Sequence, residues 1–193
     1  MKNPIIIIIL VVVVVLGGFS IGAYFWVSDM MKTAAEVEEK SANIAPAIHN
    51  LFSNNQSVDD YPYEPAKLNW NRKYLILENR YSDTMSAVYS TKWNKILDVD
   101  KNFPGNDAKG IIMVALVIDN EGTYKNTFGG DTHKSAMRQS YVISYLDIAQ
   151  QKVLARDTLR GEDPPEYVGR NDSGLGDAPD EDLVVSTIQK RLK

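Results

Sequence analysis

The sequence contains no cysteine. Disulfides, thiolate nucleophiles and sulfur-based zinc sites are therefore excluded. Histidine is almost missing as well, with only His49 and His133. A zinc site needs three or four ligands. Only Asp131 and His133, in "GGDTHK", stand near each other as candidates. Lys and Arg form no stripe, and the net charge is −4 with a pI near 5.2. That argues against nucleic acid as a partner. There is no G-x-S-x-G elbow to single out a serine, and no phosphate-loop signature. The glycines of "TFGGDT" and "SGLG" (Gly174, Gly176) read as turns.

A near-match to a calcium loop begins at "DVDKNFPGNDAK", where Asp98, Asp100 and Asn102 take the first three ligand positions. The template then needs a sharp-turn glycine and finds Phe103, and it needs a bidentate Glu and finds Lys109. A lysine there opposes a cation. The expectation is a turn-rich acidic loop with no metal and no cofactor.

Charge is also missing from Ile5 to Val27, a stretch of 23 residues. It begins "IIIIILVVVVVL", which alone is too short to cross a ~30 Å hydrocarbon core. "GGFSIGAYFWV" extends it to roughly 35 Å of helix, enough to span with some tilt. Tyr24, Phe25 and Trp26 close it, where amphipathic rings favour the headgroup layer. Gly18 and Gly22 fit GxxxG with Ala23 adjacent. Such small residues allow a second helix to approach, from another protein or another copy of this chain. The competing reading is a signal peptide cleaved near Ala23. The retained anchor is preferred because the apolar stretch continues past that point.

The reading divides the chain into a short head (1–4), a transmembrane anchor (5–28), a juxtamembrane helical stalk (29–53), a polar linker (54–69) and a globular domain (70–193). In the stalk, Ala34, Val37, Ser41, Ile44 and Ile48 share a stripe, with Glu36, Glu39 and Lys40 opposite. In the domain, 73–78, 111–118, 140–148 and 153–159 read as strands, the last two as a hairpin. The run 111–118 reads as a central strand covered on both faces, and "DNEG" after it as a turn. Residues 82–98 have helical spacing with Ser82 as N-cap. The segment 160–179, rich in Pro and Gly, reads as irregular. A terminal helix follows, with Asp177 capping and Pro179 in its first turn. The fold class is α+β, a mainly antiparallel sheet with helices on one face.

"GEDPPEY" stands apart as a stiff acidic segment. Glu162, Asp163, Pro164, Pro165 and Tyr167 suit either a basic or peptide partner or a rigid connection covering the sheet. Together these features point to a non-catalytic single-pass protein of the plasma (inner) membrane. Its N-terminus lies in the cytoplasm and its domain outside, and its partners are the bilayer and another membrane or envelope protein. Lys2 before the span against Lys32 and Lys40 after it gives little orienting charge. The short head is what sets the orientation. The alternatives are an accessory subunit packing through its membrane and stalk helices, a secreted domain after cleavage, or an enzyme without a recognisable signature.

Overall fold

The structure is a computed structural model. It describes residues 58–79, 87–99, 104, 107–125, 131–169 and 172–193, with Lys32, Ala35 and Glu39 upstream. For 59, 87, 88 and 131–133 it describes the backbone alone. The chain divides into two units, Met1–Lys40 and Ser41–Lys193. In the first, Lys32, Ala35 and Glu39 are helical and exposed. The stretch read as a transmembrane anchor, with the packing candidates Gly18, Gly22 and Ala23 and the aromatic Tyr24, Phe25 and Trp26, and most of the segment read as a stalk lie outside the described residues. No helix among the described residues is long and apolar enough to cross a membrane.

The second unit is an α+β domain built on a five-stranded mixed sheet. Its strands are β1 (Tyr74–Asn79), β2 (Ala87–Tyr89), β3 (Gly110–Lys125), β4 (Asp131–Asp147) and β5 (Lys152–Arg160). They lie side by side in the order β2-β1-β3-β4-β5. Two α-helices are present among the described residues of this unit, α1 (Thr91–Ile96) and α2 (Glu181–Arg191). Three pairings are antiparallel, and β1 with β3 is parallel. The parallel pair arises because the chain leaves β2, forms α1, and returns to start β3 beside the start of β1.

The period-2 alternation of β1 and β3 sorts their side chains cleanly. Ile76, Ile112 and Val114 face the helices, with Ile143, Tyr145, Trp93, Val184 and Ile188. Leu75, Leu77, Ile111 and Met113 face the other way, with Leu146, Val153, Val58 and Tyr61. Both helices thus pack on one face, as the sequence pattern predicts. Val58 and Tyr61 are buried, and the chain from Pro62 to Ala66 bonds along the start of β5. The second half of the segment read as a linker is therefore part of the domain.

Four local expectations are corrected. Residues 87–89 are strand, and the helix starts at Thr91 with Ser90 as its N-cap. The helical spacing read across 82–98 joined the strand residues Val88 and Tyr89 to the helix that follows. "DNEG" does not turn; β3 runs through it, with a register shift between Asn120 and Gly122 marking a bulge. The run 111–118 is central, but Leu116 and Ile118 are exposed, because β3 outruns the helices that cover its start. The N-cap of α2 is Asp180, whose carboxylate accepts the Asp182 N–H at 2.9 Å, rather than Asp177.

The irregular segment after β5 is held firmly. Gly161 N–H donates to Gln139 O, Met137 N–H to Gly174 O, and Gly176 N–H to Met137 O, so backbone lies directly against β4. At Gly174, φ is +70° and an added Cβ would sit 2.5 Å from Ser135 O, so only glycine fits. The glycines of "SGLG" are there for this backbone docking.

Where β2 stops pairing, a side chain continues the edge of β1. Asn94 is fully buried and addresses the Ile76 peptide from both sides. Its Oδ1 accepts the Ile76 N–H at 3.0 Å, and its Nδ2 donates to Ile76 O at 2.7 Å and to Ser90 O at 2.6 Å. Replacing it with leucine strands a buried donor. Asn94→Leu is expected to cost about 3 kcal/mol, read as a fall in the urea midpoint at unchanged slope. Asn94→Asp should also destabilise, because a carboxylate would face two carbonyl oxygens.

Candidate functional site

At the end of the sheet where β1 and β3 begin, the chain makes a tight turn. Trp70 O accepts the Lys73 N–H at 2.8 Å, and Asn71 and Arg72 between them have φ of 47° and 63°. Two consecutive left-handed residues define a type I′ turn, which asparagine tolerates and arginine does not favour. The turn seats Trp70 flat on Gly110, where an added Cβ would lie 2.2 Å from the indole ring. The Trp70 Nε1–H points to Asp147 Oδ2 at 3.4 Å, and Tyr74 lies 6.4 Å away, ring to ring.

This turn forms one wall of a cleft of about 860 Å³. Leu97, Asp98 and Val99, leaving the end of α1, form a second wall, and Gln189 and Leu192 of α2 a third. Lys67, Arg72 and Lys193 line it, with Asp98 the one acidic side chain among the lining residues. Asp98 itself has φ of 57°, so three of the four non-glycine residues with positive φ among the described residues line this cleft. A second hollow of about 600 Å³ lies on the far side of Trp70, bounded by Lys109, Asp147 and Gln150. Burial raises the Tyr74 hydroxyl above its ordinary range, partly offset by the charge of Arg72.

A polar cluster fastens the underside of α2. Arg191 grips Asp157 of β5 with both arms of its guanidinium, its Nε at 3.1 Å. The Tyr145 hydroxyl is buried beside that carboxylate. Burial first, and the negative charge of Asp157 second, hold it neutral far above its ordinary value of 10.0.

The residues singled out in the sequence are scattered. Asp98 lies in the cleft wall, while Asp100 and Asn102 fall outside the described residues. Asp131 and His133 open β4, a strand where a loop was expected, and their side chains are outside the description. Among the described residues no group of three or more His, Asp or Glu could hold a metal ion. Glu162, Asp163, Pro165 and Tyr167 are exposed and Pro164 half-buried, on the segment docked to β4. Arg138 ion-pairs with Asp163 and, at 3.1 Å, with Glu121. The Tyr124 hydroxyl donates to Pro165 O at 2.7 Å. Sequence reasoning missed Trp70, Arg72 and Asn94. "WNRK" before a strand held the turn signal, since asparagine favours left-handed backbone. Nothing local marks the cleft they help to build.

No family model matches the chain, and no curated protein or solved structure is similar enough to match it.

Two outcomes follow from this geometry. Gly110→Ala should push the indole off its seat, costing about 2 kcal/mol and shifting the Trp70 fluorescence. Above pH 10.0 the unfolded chain ionises Tyr145 and the native protein does not, so stability falls as pH rises. Tyr145→Phe should remove about 1.4 kcal/mol per pH unit from that alkaline slope and leave stability at pH 7 nearly unchanged. Denaturant titrations from pH 8 to 12 check the sign.

Proposed function

We infer that this chain is a single-pass membrane protein that holds a small α+β domain outside the cytoplasm as a non-catalytic binding module. One observation carries the reading: Ile5–Val27 runs 23 residues without a charge and ends in Tyr24-Phe25-Trp26.

The domain supports a binding role through the way it presents the Glu162–Tyr167 segment. Pro164 and Pro165 stiffen it. Ties from Tyr124 to Pro165 and from Arg138 to Asp163 hold it from behind. Just beyond the segment, Lys134 donates to Gly169 O and, at 3.1 Å, to Asp172 O. Tyr167 is left 82% exposed with acids beside it. An ordered, exposed aromatic costs little entropy on binding. A basic face on another membrane or envelope protein is the matching partner.

The membrane reading is tested on the full chain. It should stay in the membrane pellet through high salt and an alkaline carbonate wash, and the purified chain should retain the Ile5–Val27 stretch. Release by carbonate, or a mature N-terminus near Tyr24, would overturn it.

A further inference from the structure

Several cations of this domain tie one element to another. Lys92 pairs with Glu181, Lys152 with Glu64, Arg138 with Glu121 and Asp163, and Arg191 with Asp157. Lys67 and Arg72 form no ion pair with a carboxylate among the described residues. Both stand on the wall of the same cleft. The carboxylate nearest them in the lining, Asp98, already has an interaction of its own.

Arg72 is also held in the left-handed region, at φ 63°. Glycine would adopt that backbone without strain, so the arginine side chain is kept at a conformational cost. Strain of this kind collects where a side chain has a task. The end of α2 puts partial negative charge near the cleft, but Lys190 and Arg191 in its last turn oppose it. Its Ile188 carbonyl is already taken by the Leu192 N–H. α1 has six residues, too few for a strong dipole of its own. The balance left in the cleft is positive.

A volume of about 860 Å³ suits a small molecule. Leu68, Leu97 and Val99 supply an apolar floor, and Asn69, Asn71 and Gln189 supply neutral donors and acceptors. The geometry points to this cleft as a binding site for a small organic oxyanion. Arg72 and Lys67 engage its carboxylate or phosphate group, and its body lies on the apolar floor. A guanidinium matches either anion through two parallel hydrogen bonds. The site lies within the domain and does not depend on the membrane reading.

The test uses the full chain in detergent micelles with ¹⁵N-labelled tryptophan. The sequence has three tryptophans, so the indole signals are few, and Trp93→Phe and Trp26→Phe assign that of Trp70. Inorganic phosphate and succinate are titrated separately at constant ionic strength, with chloride as the control. A saturable shift of the Trp70 indole is expected with one oxyanion and none with chloride; whichever oxyanion saturates names the ligand's anionic group. Arg72→Gln should abolish the shift. Arg72→Gly should abolish it too, with a melting temperature equal to or above the parent's because the backbone strain is relieved. Shifts that stay linear with both oxyanions, or a saturable shift that survives in the glycine variant, would overturn the site.

Discussion

The Asn94 amide fastens α1 to the uncovered edge of β1. β1 pairs with β3 along its whole length but with β2 over only Leu77, Glu78 and Asn79. The Ile76 peptide is the first beyond that cover, and it is buried. A buried peptide must find partners or cost free energy. Asn94 supplies them from a helix, acting as one more residue of the missing strand. The same amide fixes the direction in which α1 leaves the sheet. It therefore fixes where Leu97, Asp98 and Val99 fall, and these form a wall of the cleft. Ser90 strengthens the junction, donating to Glu78 at 2.9 Å while its Oγ accepts the Trp93 N–H at 3.3 Å.

A similar problem is met at the other end of the sheet by a different device. β3 and β4 run 16 and 17 residues, far past their neighbours. Exposed strand edges invite pairing with other chains. Along β4 the backbone of Gly161, Gly174 and Gly176 takes up the bonds that a longer β5 would have made. This accounts for the glycines of a segment that in the sequence reads only as turns. It also explains how an acidic, proline-bearing stretch without secondary structure can hold one place. At the near end of β5, Glu64 and Ala66 donate to Val153 O and Leu154 O and cover that edge.

Electrostatics divides along the same lines. The paired cations fasten elements to one another, as Arg191 fastens α2 to β5 through Asp157. Exposed pairs of this kind are individually weak, and their geometry matters more than their energy. Lys67 and Arg72, which have no such partner among the described residues, line the cleft where Asn71, Arg72 and Asp98 hold positive φ.

Much of the fold is legible in the sequence because its signals are local. The apolar run of β3, the alternation of the β4–β5 hairpin and the charge gradient of α2 each need only neighbouring residues. So does the uncharged stretch from Ile5 to Val27. Local reading failed where two elements meet. Val88, Tyr89, Trp93 and Ile96 keep helical spacing across a strand–helix junction, and only the pairing of Tyr89 with Leu77 breaks the pattern. "DNEG" has turn residues, but the cross-strand register of β3 with β4 makes it a bulge. The cleft was not legible at all. Trp70, Arg72, Asp98 and Gln189 come from three separated stretches, and neither their charge surplus nor their strain exists until the chain closes. The sequence by itself determined the α+β class, the long apolar segment and the absence of sulfur chemistry, because composition and periodicity are properties of the chain. Tertiary structure alone decided which peptide Asn94 would satisfy, which glycines would touch backbone and which cations would be left unpaired, because those depend on distances between residues far apart in sequence.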